Sequence, residues 1–559
     1  MMQRLAQLVQ GEIRGLHNAA YILGLFAVLS SLLGFFRDRL LAYVFGAGAQ
    51  LDIYYAAFRL PDFIFVMVAS LVSAYVLIPE FVKRSDKERA VYIETVMFWF
   101  SVFIALASVL AFYAAPYLLQ LTFPSLWSGV YGDELLLMTR IMLLQPALLG
   151  CSNIVMAVIQ AKNRYVLFAL SPLLYNIGII VGIVALYPIV GLSGLAWGVV
   201  LGALLHVLIP LPSVLSDGFF RNTFRIHHPA LFFRTILISL PRTFALSANQ
   251  VVFFVLVALA GTLSVGSIAI FTLAFNLQSV PLAVIGVSYS VAAFPTLVAM
   301  YSAGKRQEFV LQMSLAARHV IFWTLPMIGL IIVLRAHIVR IILGSGSFDW
   351  SDTRLTAAAL ALFAVAITAH ALMSLLARAY YATGRSWTPF FVNIGAGCVA
   401  IFSAYVWTGV LGAPGELHKF LETVLRVSGV PGTEVLALPL AYAFGAIVGT
   451  VALAILFEIE FGGFLKKVAR VFCEGLLASL VGGAAAYGVL TTLGGVSEAT
   501  TLPLLIAHGF LAGSAGVTAV VLTYMLTGSR ELLEMRQALQ KRFVARSRIV
   551  SSVEDEIAA

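Results

Sequence analysis

The feature that most constrains this chain is the recurrence of long apolar stretches with few or no charges. Fourteen such segments can be placed, the first over residues 19–36 and the last over 501–527. Each is about as long as, or longer than, the ~20 residues that a helix needs to cross a hydrocarbon layer. Inside that layer the backbone must satisfy its own hydrogen bonds, so the segments are read as helices. With 61% hydrophobic and only 11% charged residues, and a mean hydropathy of +0.99, the chain has too few polar residues to cover a soluble core of its size. The fold class is therefore an all-α polytopic membrane protein with fourteen transmembrane helices.

The net charge of +9 does not point to nucleic acid, because the Lys and Arg residues lie in short loops between apolar runs. Loops 82–89, 160–165, 219–228, 303–308, 382–386 and 465–470 are basic, whereas 123–134, 187–194, 261–267 and 493–501 contain no Lys or Arg. Positive-inside asymmetry places the basic loops and both termini in the cytoplasm, and the alternation requires an even number of spans. The expected location is the cell inner (cytoplasmic) membrane. The first apolar run is too long for a signal-peptide core and reads as an uncleaved first span. Within the 412–433 loop, "GELHKFLETVLRV" spaces its apolar residues as an interfacial amphipathic helix. Residues 529–559 form a basic, surface-lying cytoplasmic tail.

The chain also repeats itself. "AFRLPDFIFVMVASLVSAYVLIPEFV" (57–82) aligns with "AFNLQSVPLAVIGVSYSVAAFPTLVA" (274–299), and "SPLLYNIGIIVG" (171–182) with "TPFFVNIGAGCV" (388–399). Both pairs are offset by 217 residues. A unit of six helices enters the membrane in the same sense each time, so the two units form a parallel pseudo-two-fold repeat. Residues 1–218 are the N-lobe (helices 1–6) and 219–464 the C-lobe (helices 7–12), facing each other across a central cavity. Residues 465–528 hold two extra C-terminal helices.

One stretch departs from the apolar pattern. "GFFRDRLLAYVFGAGAQLDIYYAAFRLP" (34–61) carries Arg37, Asp38, Arg39, Asp52 and Arg59. A charge at membrane depth costs about 2.5 kcal/mol or more, so it needs a partner or a role. The Gly-rich turn brings the helix ends together, so Arg37, Asp38, Asp52 and Arg59 can pair there. Asp52 as N-cap of the second helix is the structural alternative. The guanidinium forks of Arg37 and Arg59 can hold an anion bidentately. Arg242 follows Pro241, which is expected to break the seventh helix at a substrate site. Asn249 and Gln250, two turns on, could meet sugar or amide groups, or bond between helices. Asn176 and Asn393 read as structural, and His206 and His370 as satisfied core histidines. There is no P-loop, catalytic pair or triad, so the residues do not read as those of an enzyme, and no cofactor is expected. The three dispersed cysteines and the His227–His228 pair lack metal-ligand spacing.

Three stretches carry a family resemblance: 34–63, "QAKNRYVLFALSPLLYNIG" (160–178) and "LARAYYATGRSWTPFFVNIG" (376–395). The chain resembles the MurJ/MviN family, the lipid II flippases of the MOP exporter superfamily. The resemblance implies movement of an undecaprenyl-pyrophosphate-linked peptidoglycan precursor from inner to outer leaflet by alternating access. It places Arg37, Asp38, Asp52 and Arg59 on charged family positions. The implied partners are the polyprenyl-pyrophosphate lipid, membrane lipids and cell-wall synthesis proteins, with no nucleic acid and a monomeric state. Several family charges are replaced here, by Ser31, Phe65, Val66, Phe275, Asn276 and Ser279, and helices 7 and 11 contain no acid for a sodium site. Two alternatives stay open: an exporter of another polyprenyl-linked saccharide or drug, and a non-transporting envelope scaffold.

Overall fold

The computed structural model describes residues 16–72, 74–220, 229–413, 415–494 and 501–537. The His227–His228 pair and the tail beyond Gln537 lie outside them. Among the described residues every regular element is helical. The long helices are α1 (Leu16–Phe45), α2 (Ala49–Val82), α3 (Asp86–Thr122), α4 (Gly132–Ala161), α5 (Tyr165–Val190), α6 (Ser193–Ser216) and α7 (Pro229–Ala260). They continue as α8 (Ser267–Ser302), α9 (Arg306–Ile342), α10 (Trp350–Ala382), α11 (Trp387–Gly412), α12 (Thr433–Phe461), α13 (Phe464–Leu493) and α14 (Leu502–Leu526). Among the described residues twelve of these are long and apolar enough to cross a membrane. The short helix Glu416–Leu425 occupies the loop before α12, with Leu417, Phe420 and Val424 exposed along one stripe.

The internal repeat is visible in the elements. In α2 the hydrogen bonding shifts to a π-helix at Phe65–Ala69, and in α8 at Leu282–Val287. The two π segments start 217 residues apart, the offset seen in the sequence. The starts of α3 and α9 differ by 220 residues, and those of α4 and α10 by 218. Helices α6 and α12 start 240 apart, because the loop carrying the amphipathic helix is inserted only in the second repeat. One expectation fails: α7 runs unbroken through Pro241. Proline is tolerated inside a membrane helix when neighbours satisfy the freed backbone group. Here hydroxyl bonds tie the helix to α2: Ser239 Oγ donates to the Leu71 carbonyl (2.7 Å), and Ser70 Oγ to Thr243 Oγ1 (3.0 Å).

The chain divides into two compact units, residues 1–274, 342–356 and 401–438, and residues 275–341, 357–400 and 439–559. In the first, α5 and α6 approach at backbone contact. A β-carbon on Gly178 would lie 2.2 Å from the α-carbon of Gly202, and one on Gly182 2.6 Å from that of Gly198. Small residues at helical spacing allow this approach, which replaces the hydrophobic effect as a source of packing energy in lipid. In the second unit the α13–α14 hairpin uses the same device at Gly482 and Gly516. It docks on α9 through Tyr524, whose hydroxyl donates to the Phe322 carbonyl (2.8 Å), and through Arg318 Nε to Glu531 (2.6 Å).

Candidate functional site at the first helix turn

The charged stretch forms the end of α1, a tight turn and the start of α2, all in the first unit. Arg37 projects from α1 with all three of its nitrogens engaged. Nε and Nη2 donate to Asp38 Oδ1 (2.9 and 2.7 Å), and Nη1 donates to Asn176 Oδ1 on α5 (3.0 Å). Asp38 is 3% exposed. Asn176 in turn donates to the Pro172 carbonyl (3.2 Å), so it orients the guanidinium. Arg39 Nη1 reaches the Ile342 carbonyl (3.4 Å).

Asp52 has a different role from either sequence reading. It lies inside α2, whose N-cap is Gly48. Its carboxylate accepts the backbone N–H of Gly266 (2.6 Å) and of Ala269 (2.8 Å). It therefore caps α8, satisfying donors that a helix start leaves open. The expected pairing of the four charges across the turn is replaced by an Arg37–Asp38 pair on one helix and a carboxylate–amide cap at the other.

Arg59, one turn below Tyr55, is 7% exposed. Its Nε donates to the Tyr55 carbonyl (2.9 Å), and its guanidinium carbon lies 5.0 Å from the ring centroid of Phe253 on α7. It makes no ion pair among the described residues, and its two Nη groups are not used in a hydrogen bond there. Asp62, one turn on, accepts a long bond from Gln145 Nε2 (3.4 Å). Tyr54, Tyr55 and Tyr175 stand close enough to interact electrostatically with this set, and the Tyr55 hydroxyl is buried without a partner. The structure thus gathers Arg37, Asp38 and Arg59 with Asp62, Gln145, three tyrosines and Asn176. Sequence reading overlooked Asp62, although it directly follows the Leu-Pro that ends the motif. Gln145 and Tyr175 gave no signal, since they arrive from α4 and α5.

Arg242 lies on α7, and its side chain is outside the described residues. Asn249 is exposed and Gln250 half-buried, two turns further along the same helix. Neither side chain makes a hydrogen bond to the cluster among the described residues. His206 is a satisfied core histidine, its Nδ1 bonded to Ser152 Oγ (2.7 Å). His370 packs on the Tyr442 ring (4.6 Å between centroids), but its Nε2 has no partner.

Backbone turns close the end of the unit that carries this motif. Ala47 N–H donates to Asp352 (3.0 Å) and Ser347 N–H to the Tyr43 carbonyl (2.9 Å). Gly266 has φ +91°, and a β-carbon there would lie 2.1 Å from the Ala47 carbonyl oxygen. Ser264 donates to Glu434, and Arg354 donates to the Arg426 carbonyl (3.0 and 2.8 Å). The turns after α1, α7 and α9 are thereby held to one another.

The all-helical, repeated bundle is that of a polytopic membrane protein, and its fold is shared by solved structures of the MOP superfamily. An inward-facing multidrug-resistance MATE family transporter of that superfamily shares the fold, with a TM-score of 0.60 at 14% identity over 79% of this chain and 94% of that one. The family model described as "Lipid II flippase MurJ" matches residues 41–504, and the chain belongs to that family. Among its relatives is the lipid II flippase MurJ of Burkholderia cenocepacia, 25% identical over 70% of this chain and 78% of the relative. A probable lipid II flippase MurJ of Thermotoga maritima is 27% identical over 78% and 87%. A solved lipid II flippase MurJ in an inward closed conformation has a TM-score of 0.69 at 20% identity, covering 90% of this chain and 99% of that one.

Proposed function

We propose that this protein flips lipid II, the undecaprenyl-pyrophosphate-linked peptidoglycan precursor, from the inner to the outer leaflet of the cytoplasmic membrane by alternating access. The observation that carries this reading is the family match over residues 41–504. The chemistry of the cluster supports it. Arg59 keeps two Nη groups unspent beside a buried polar set, the donor arrangement that a pyrophosphate accepts. A cationic drug would need unpaired acids, yet Asp52 is bonded to two amides, Asp38 to Arg37, and Asp62 stands within electrostatic reach of Arg59. Arg37 contributes second, once an anion displaces Asn176 or Asp38 from its fork.

In this reading the head group meets Arg59 first, and the bonded turns around Ala47, Gly266 and Ser347 form the barrier that must open for release. All fourteen long helices are spans, with α1 and α7 the first of each six-helix lobe, residues 1–218 and 219–464. Residues 465–528 are the appended pair and 529–559 the cytoplasmic tail. Transport is powered by an ion gradient, the membrane potential or consumption of the product, and the protein acts as a monomer without a catalytic site. The test is depletion of the host's own flippase, complementation with this chain, and a leaflet-specific measurement of lipid II. Outer-leaflet lipid II should return with the intact chain. Its absence at normal membrane levels of the chain rejects the reading.

A further inference from the structure

On one side of the first unit a cation stands among exposed apolar side chains with no acid bonded to it. Along α4, Asp133, Leu137, Arg140 and Leu144 are spaced by four, three and four residues and so share one face of the helix. Asp133, Leu137 and Leu144 are exposed and Arg140 is half-buried, whereas Leu135, Met138 and Met142 on the other faces are buried. The neighbouring face of α3 is exposed and apolar at Leu106, Val109 and Leu110. Exposed apolar stripes on spanning helices meet lipid. The Arg140 guanidinium carbon lies 4.4 Å from the ring centroid of Phe112 on α3, and its Nε is buried without an acceptor. Neither Arg140 nor Asp133 makes a hydrogen bond or ion pair among the described residues. A charge facing lipid without a protein partner is costly, so its counter-ion must come from the lipid.

The position of the two charges restricts which lipid fits. Arg140 is the ninth residue of α4, roughly 12 Å along the axis from its start at Gly132. Helical side chains lean toward the N-terminus, so its guanidinium lies closer to that end than its backbone does. Tyr113 and Tyr117 on α3, 71% and 76% exposed, flank this level, as aromatic rings do at a membrane surface. That is the depth of lipid phosphates. Asp133 stands two turns nearer the helix end on the same stripe, in the headgroup layer. A zwitterionic headgroup carries the matching charges in the matching order, phosphate inside and ammonium outside. A purely anionic headgroup would set its negative charge against Asp133 and Glu134, both in the first turn of α4. We propose that this face of α3 and α4 binds one aminophospholipid of the phosphatidylethanolamine type, Arg140 taking the phosphate and Asp133 the ammonium. The match is the same whichever leaflet the site faces, so the inference does not rest on the flippase reading.

The experiment titrates full-length, delipidated protein in detergent with phosphatidylethanolamine or phosphatidylglycerol, and native mass spectrometry counts the bound lipids. The wild type should fill one saturable site and prefer phosphatidylethanolamine about three- to fivefold, the worth of one exposed ion pair. Arg140→Gln should weaken both lipids about tenfold, through loss of a charge-assisted contact. Asp133→Asn should abolish the preference while phosphatidylglycerol still binds. Lys305→Gln, in the second unit, should change neither. Thermal unfolding in lipid-free detergent establishes that each variant is folded. Should Arg140→Gln not fold, the wild-type preference and its loss in Asp133→Asn decide the matter. Equal affinity for the two lipids in the wild type, full phosphatidylethanolamine binding by a folded Arg140→Gln, or a preference that survives Asp133→Asn each overturns the proposal.

Discussion

Single side chains decide what the charged turn can do. Arg37 and Arg59 look alike in sequence, but one has spent its fork on Asp38 and Asn176 and the other has not. Replacing Arg59 with Ala should weaken binding of a pyrophosphate-linked lipid about ten- to hundredfold, the worth of one charge-assisted contact. Lys at 59 should restore only part of it, because the charge remains and the fork does not. Arg37→Ala should cost less binding but more fold stability, measured by thermal unfolding of the same preparations. Asp52→Ala leaves the amides of Gly266 and Ala269 without their acceptor, at about 1–3 kcal/mol for each buried donor. Asp52→Asn retains one acceptor and should lose less. Asp217, just beyond α6, behaves differently because it titrates outside the membrane. Its burial acts upward, but hydrogen bonds from Arg164 and Lys162 hold its carboxyl below the ordinary carboxylate range. The stability it contributes is therefore present above the pKa of the unfolded chain and lost as pH falls through the lower folded value. Asp217→Asn should remove that acid-side slope from a plot of melting temperature against pH.

At the scale of elements, much was legible because lipid leaves the backbone so few choices. Apolar runs had to be helices, and each long helix overlaps its expected segment. The repeat was readable from "AFRLP" against "AFNLQ", but the π-helical turns at Phe65 and Leu282 were not, since no residue pattern announces a shifted hydrogen bond. The Pro241 break failed for a related reason: whether proline ends a helix depends on the packing around it, and the hydroxyl bonds that tie α7 on either side of Pro241 go to α2. That Asp52 caps α8 and not its own helix was not legible, because the amides that donate to its carboxylate lie 214 and 217 residues away. The glycines of α5 and α6 were present in the sequence, but their register against one another is tertiary. Gly178→Leu forces a side chain onto the Gly202 backbone, where relief requires moving a whole helix. Overpacking of this kind costs about 1–3 kcal/mol or more, so the variant should melt well below the wild type. Gly191→Ala tests a different property. The space there is open but φ is +67°, so its smaller loss would report backbone strain alone.

For the molecule as a whole the orientation of the repeats turns on α1 and α7 crossing the membrane. Each begins a six-helix repeat, so the orientation of everything after it depends on that crossing. Loop charge and the element order predict that the turns near residues 130 and 265 lie outside and those near 163 and 305 in the cytoplasm. Thiol accessibility can test this in a chain whose Cys151, Cys398 and Cys473 have been replaced. Val130 and Val265 are 92% and 72% exposed, well placed for single cysteines. Val130→Cys and Val265→Cys should react with a membrane-impermeant maleimide in intact spheroplasts. Asn163→Cys and Lys305→Cys should react only after permeabilisation. If α7 did not cross, residue 265 would share the protected side with residue 163. The repeats would then be inverted rather than parallel, since the second unit would enter the membrane in the opposite sense. Such a protein could not present the turns after α1 and α7 on one face, where Asp52 bonds Gly266. Labelling of Val265→Cys is therefore the most discriminating of the four measurements, and its protection would remove the architecture on which the flippase mechanism rests.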